Sequence, residues 1–267
     1  DLRLPVTMTR LDYSMDRWVL TGIAVHEVRF DKWPTYGSDY YTSAAPLPEE
    51  EIPDLALENQ ELALALSGTF SGWEASLYAA HVFDDSAHVE LDSDGGDKRV
   101  HARITMLGTA INLARGNWLY KTEAAFFTGL EFAALPGEEK SRLDALAGVE
   151  YAGVTDTTIS LEAANRHIFR FEDSMSASPD YAEEDDFQWA LRISRDFFHE
   201  RLEGLLLIQA YDPLGQGGAL ERLEFTVDLT DAWEATAGVV FYQSGDKPAF
   251  EDLNECNRLF FRLHYIF

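Results

Sequence analysis

The 267-residue sequence has a single cysteine, Cys256, which excludes an internal disulfide framework and any multi-cysteine metal centre. Positive charge is scarce as well: 21 Lys and Arg stand against 47 Asp and Glu, a formal net charge of −26. A chain this acidic assembles neither the basic surface that releases counterions from nucleic acid nor one that clings to anionic lipid headgroups. Long apolar runs are missing too. The longest candidate, LEGLLLIQA at 202–210, falls well short of the roughly 18 residues a membrane-spanning helix needs. Convincing helical periodicity is absent throughout. The opening DLRLPVTMTR has neither a basic n-region nor an apolar h-region, as in a mature chain or one whose start is missing.

What the sequence does have is aromatic residues, 17 Phe, 11 Tyr and 6 Trp, and alternation with a period of two. Alternating segments fall at about 4–13, 16–30, 60–70, 73–83, 99–113, 117–130, 143–152, 157–169, 187–195, 201–211, 220–229, 232–243 and 258–267, thirteen expected strands in one domain spanning 1–267. The stretches 31–58 and 84–97 are expected to be loops. Connections alternate short and long along the whole chain. In an antiparallel meander that places every short turn at one end of the strands and every long loop at the other.

Most of these segments also divide into two faces. Trp233, Ala235, Ala237, Val239 and Phe241 oppose Glu234, Thr236, Gly238, Val240 and Tyr242. Leu223, Phe225, Val227 and Leu229 oppose Arg222, Glu224, Thr226 and Asp228. Trp18, Trp73, Trp118 and Trp233 each sit on the apolar face near the start of the strand after a short turn, and Phe267 ends the last strand at the same level. Rings held at one height fit an interfacial aromatic girdle; core tryptophans of a soluble sandwich are the alternative.

The final strand carries the most specific pattern. Leu259, Phe261, Leu263, Tyr265 and Phe267 are apolar at every second position and end on an aromatic residue. This strand resembles the C-terminal strand of bacterial outer-membrane β-barrels. Together with ENQELALALSGTFSGWEASLYAAHVFDD at 58–85, it resembles large proteobacterial porin-like barrels, of the alginate-export type or an uncharacterised relative. The resemblance implies an all-β, transmembrane, antiparallel up-and-down barrel in the outer membrane, with a periplasmic C-terminus and outer-membrane lipid around it. Single-chain bacterial barrels have even strand numbers. Thirteen visible strands therefore lead to the expectation that one or more strands and a signal peptide precede Asp1.

The other face supplies the candidate functional residues. Arg103, Lys121, Arg166, Arg192, Arg201, Arg222, Glu224, Glu234, Arg258, Arg262 and His264 are the expected pore-lining set. Basic and acidic groups on that face nearly balance, so most of the net charge belongs to the long loops. Burying them in a dry core would cost several kcal/mol per ion even when paired, a cost that a wet lumen removes. The arginines either form a basic stripe that favours anionic or zwitterionic solutes or pair with Glu203, Glu224 and Glu234 as cross-links.

No catalytic motif is found. His26-Glu27 starts like HExxH, but Phe30 occupies the second histidine position, and there is no GxSxG elbow, Walker loop or dinucleotide fingerprint. Nothing implies a cofactor or an enzyme. Asp92, Asp94 and Asp97 are weak candidates for a cation in a loop whose glycine is misplaced for calcium. The expected function is passive passage of small hydrophilic solutes or ions. The alternatives are a structural or docking barrel that meets a protein partner through acidic loops, and a soluble β-barrel or sandwich that binds a ligand.

Overall fold

A computed structural model describes residues 5–32, 34–38, 41, 45–91 and 96–266. The strands are β1 (Met8–Met15), β2 (Trp18–Val25), β3 (Glu49–Glu50), β4 (Glu61–Phe70), β5 (Trp73–Phe83), β6 (His88–Leu91), β7 (Asp97–Val100), β8 (Arg103–Arg115), β9 (Trp118–Leu130), β10 (Lys140–Val154), β11 (Thr157–Phe169), β12 (Asp185–Phe197), β13 (Leu202–Tyr211), β14 (Gly218–Thr230), β15 (Trp233–Gln243) and β16 (Arg258–Tyr265). Besides these, only short 3-10 turns occur among the described residues. Among the described residues thirteen strands form one sheet in chain order, from β1, which pairs with β2, to β16, which pairs with β15. The other three form a small sheet in the order β3-β7-β6.

The long strands follow the alternation in the sequence, and the short turns that join them have a simple cause. Asp16, Gly72, Gly116 and Asp156 adopt left-handed φ of 49°, 83°, 61° and 54°, the backbone that tight hairpins require and that Gly and Asp supply at least cost. Two expectations need correction. The second strand ends at Val25 rather than residue 30, because Phe30 leaves the sheet and stacks on His101 at 3.3 Å between ring centroids. The stretches expected to be loops contain β3 and β6, and β7 runs from the end of the second into the strand expected at 99–113. These strands are too short and too charged to stand out in the sequence, and ion pairs hold them: Lys98 to Glu51 at 2.6 Å and Arg99 to Glu50 at 3.2 Å.

The chain divides into two compact units. The first comprises Asp1–Asn112, Thr122–Ala145 and Arg166–Asp185. Its ladders β1-β2, β2-β4 and β4-β5 place Tyr13, Leu20, Leu66 and Leu77 in one transverse row, and Ser14, Val19, Ser67 and Ser76 in a row on the opposite face. The apolar face of these strands has almost nothing packed over it at several positions: Leu11, Tyr13 and Leu64 are 72%, 66% and 57% exposed. What is buried lies toward the loops, where Ala102, Ile104 and Leu130 pack with Val82, Phe127 and Phe132.

At the short-turn end, Trp18 meets Phe70 edge-on at 5.4 Å, and Phe70 stacks on Trp73 at 4.0 Å. Gly68 makes room for this group, because a Cβ there would sit 2.6 Å from the Trp18 ring.

The second unit comprises Leu113–Lys121, Leu146–Asn165 and Asp186–Phe267. Successive pairings across five strands place Ile193, Leu206, Leu223, Val239 and Leu259 in one row, aliphatic throughout. Leu259 and Phe261 are 80% and 71% exposed. Trp118 near Tyr151 and Trp233 near Tyr265 repeat the aromatic grouping beside short turns, at centroid distances of 4.4 and 4.8 Å. Trp18, Trp73, Trp118 and Trp233 each open the strand that follows a short turn, while Phe267 is outside the described residues. An apolar face this continuous and this uncovered has the character of a surface that meets hydrocarbon.

Two outcomes follow. Gly68→Val is expected to displace Trp18, cost about 1–3 kcal/mol as an overpacked substitution and lower the temperature at which heat-modifiable gel mobility is lost. Gly22→Ala, whose Cβ would be 3.7 Å from Leu64, should leave that temperature unchanged. In the loop after β5, partial desolvation pushes the carboxyl of exposed Asp85 above its ordinary 3.8, and Asp31, Glu61 and Asp84 add to the rise against a smaller opposing effect of His101. A raised carboxyl pKa means stabilisation that is present below about pH 4 and lost as pH rises through the folded value. Asp85→Asn should therefore slow amide hydrogen exchange across 84–91 at pH 7, with the difference from wild type vanishing near pH 4; equal exchange at both pH values would contradict it.

Candidate functional site

Strand pairing brings the charged residues of the second unit together on the polar face. Arg192 on β12 pairs with Leu207, Leu207 with Arg222, Arg222 with Val240 and Val240 with Arg258. Three arginines thus occupy one transverse row on alternate strands. With strands about 4.8 Å apart, their backbones are spaced at about 10 Å. At that distance two like charges repel by only about 0.4 kcal/mol in water, but by several times more in a drier medium. The row is therefore inexpensive only on a wet surface.

Neighbouring rows give the face its polarity. Two residues toward the short turns lie Ser194, Leu205, Glu224, Gly238 and Phe260, and two further lie Asp196, Glu203, Thr226, Thr236 and Arg262. Asp228, Glu234 and His264 form the next row. Acids thus gather at the short-turn end, and the arginine row lies about 14–20 Å along the strands from them. Arg222, Arg258 and Arg262 share a concavity of about 530 Å³ with Gln209, Tyr242 and Phe260.

Two of these guanidiniums are positioned by neighbours. Arg222 donates to Glu224 through Nε at 3.0 Å and lies 5.2 Å from the Phe260 ring; Arg258 donates to the Tyr242 hydroxyl at 2.9 Å. Gly238 gives the Phe260 ring its place, since a Cβ there would meet it at 2.7 Å.

Of the acids considered as partners for these arginines, Glu224 is paired, but along one strand rather than across strands. The partner of Arg222 is Glu224, two residues along the same strand, and no salt bridge to Arg192, Arg201 or Arg262 occurs among the described residues. Arg201 instead borders a second concavity at the short-turn end with Asp228, Asp231 and Glu234. Lys121 lies between Glu162 at 3.2 Å and Glu150 at 3.8 Å. In the first unit, Arg166 is 3.8 Å from Asp144. Arg103 turns to the loops, where its Nη2 donates to the carbonyls of Glu58 and Gln60 at 2.8 and 2.9 Å and its guanidinium covers Phe83. It clamps a loop.

A recurrent tripeptide explains much of this pairing. Arg10-Leu11-Asp12, Arg142-Leu143-Asp144 and Arg222-Leu223-Glu224 each put an ion pair on the polar face and a leucine on the apolar one. The i, i+2 spacing on a strand does this automatically, and Arg-Leu-acid was the legible signal for Arg142 and Asp144, which the expected pore-lining set omits. Of the loop aspartates, Asp97 pairs with Leu91 in a ladder and is exposed, while Asp92 and Asp94 lie outside the described residues.

With this geometry in view, known proteins can be compared. The fold is similar to that of the crystal structure of Acinetobacter baumannii OccAB3, an outer-membrane barrel porin, with a TM-score of 0.50 and 15% identity over 97% of this chain and 67% of that one. At that identity the likeness concerns the fold, which is the antiparallel barrel sheet expected from the alternation. No curated protein matches the sequence. Of the two kinds of relative suggested by the resemblance, the family match is to an uncharacterised one. The matching family model, described as a protein of unknown function, covers residues 1–267, and the chain belongs to that family, DUF1302.

Proposed function

We propose that the polar face lines a water-filled passage in the outer membrane through which small hydrophilic solutes diffuse, with a preference for anions. The row Arg192, Arg222 and Arg258 carries this reading. Three cations set about 10 Å apart on a wet face leave a lane of positive potential beside uncharged Leu207 and Val240. Gln209 and Tyr242 offer neutral hydrogen-bonding groups on the same face. The acids at the short-turn end act as a separate zone that repels anions approaching from that side. In the proposed orientation the short turns and the end of β16 face the periplasm and the long acidic loops face outward.

The uncovered apolar face supports a membrane setting over a soluble ligand binder, and the porin fold supports passage. An anion about 5 Å from one guanidinium gains about 0.8 kcal/mol in water, a factor of about four in occupancy. Purified protein in planar bilayers should give ohmic steps with an anion-selective reversal potential. Arg192→Gln with Arg222→Gln and Arg258→Gln should lower the anion-to-cation permeability ratio by at least that factor of about four. Steps whose selectivity ignores the triple substitution would remove the role given to the row. No steps at all would remove the passage and favour a docking barrel for a protein partner.

A further inference from the structure

The loop sheet contains a group of residues that neither the passage nor the membrane face uses. His88 and Glu90, two residues apart on β6, face Glu131, which follows directly after β9. The three offer one nitrogen and two carboxylate oxygens within 4.8 Å of one another. His88 Nε2 is 3.3 Å from Glu90 Oε1 and 3.5 Å from Glu131 Oε2. These distances are long for charge-assisted hydrogen bonds, which run to about 2.7–2.9 Å. They do match the edges of a metal tetrahedron: with metal–ligand bonds of about 2.0–2.2 Å, two ligand atoms lie about 3.3–3.6 Å apart. One nitrogen therefore sits equidistant, within 0.2 Å, from two carboxylates at a coordination spacing.

Burial and charge agree with this reading. The His88 side chain is 8% exposed, which fixes the imidazole, while Glu90 and Glu131 are 47% and 35% exposed and leave an entry from solvent. With a neutral imidazole the set carries two negative charges, which one divalent cation cancels. The mixed nitrogen and oxygen donors suit zinc better than calcium or magnesium, which take oxygen ligands.

We infer that His88, Glu90 and Glu131 bind one zinc-class divalent cation in tetrahedral coordination, with water as fourth ligand, and that the ion ties the loop sheet to the end of β9. The sequence hinted at a cation a few residues further on, at Asp92, Asp94 and Asp97. The geometry instead points to residues whose histidine and second glutamate are 43 positions apart in the chain.

Full-length protein in detergent, stripped with chelator and titrated with Co²⁺ as the spectroscopic probe, tests this. The expected result is one saturable equivalent with the intense visible bands of four-coordinate Co²⁺, displaced by Zn²⁺. His88→Ala and Glu131→Gln should each weaken binding by at least about tenfold, since even outer-shell changes at metal sites cost that much, while His199→Ala in the β12–β13 turn leaves it unchanged. Heat-modifiable mobility shows that each variant retains its sheet. Weak six-coordinate bands in the wild type, no saturable equivalent, or full affinity in His88→Ala would overturn the assignment. The wild-type spectrum decides even where a variant fails to fold.

Discussion

Backbone hydrogen bonding under an uncovered apolar face is the constraint on which this structure depends. Each strand of the large sheet between β1 and β16 has a neighbour on both sides, so the sheet presents hydrocarbon side chains while the peptide groups of its interior strands are paired. That arrangement makes Leu223, Phe225, Phe241 and Leu263 acceptable at the surface, where a soluble sheet would need a second layer over them. The short hairpins serve the same end. They reverse the chain in few residues and keep the register from slipping, which would move every charge on a strand onto the apolar face.

With register fixed, electrostatics on the polar face becomes a matter of rows. A ladder aligns residues from distant parts of the sequence, so Arg192, Arg222 and Arg258 share a level although 66 residues separate the first from the last. Local pairs such as Arg142 with Asp144, 2.7 Å apart, neutralise charge within one strand. Within the row, Glu224 partly offsets the Arg222 guanidinium, and on a wet face water would screen positive charge there. A sheet with both kinds of arrangement can be nearly neutral overall and still carry a sign that changes along the strand direction.

The sequence made the long strands legible because period-two alternation over ten or more residues has few competing explanations. All thirteen are present, and Trp18, Trp73, Trp118 and Trp233 lie beside short turns as their spacing suggested. The loop sheet was not legible. Glu49–Glu50 is a two-residue strand whose partners lie about 50 positions away, and its pairing depends on Arg99 and Lys98 reaching across. The inward roles were legible by face but not by contact: parity placed Arg103 on the polar side, whereas its guanidinium turns to the loop carbonyls of Glu58 and Gln60. Parity tells which side a residue leaves from and leaves open where a long side chain ends.

Among the described residues β16 pairs with β15 and forms an edge of the large sheet. A strand arriving there, from this chain or another, has no freedom of phase. Hydrocarbon must come opposite Leu259, Phe261 and Leu263, and water-compatible side chains opposite Phe260, Arg262 and His264, because a shift of one residue would invert every position. The edge therefore works as a template with binary specificity, accepting a sequence by its odd-even pattern before any individual side chain is matched.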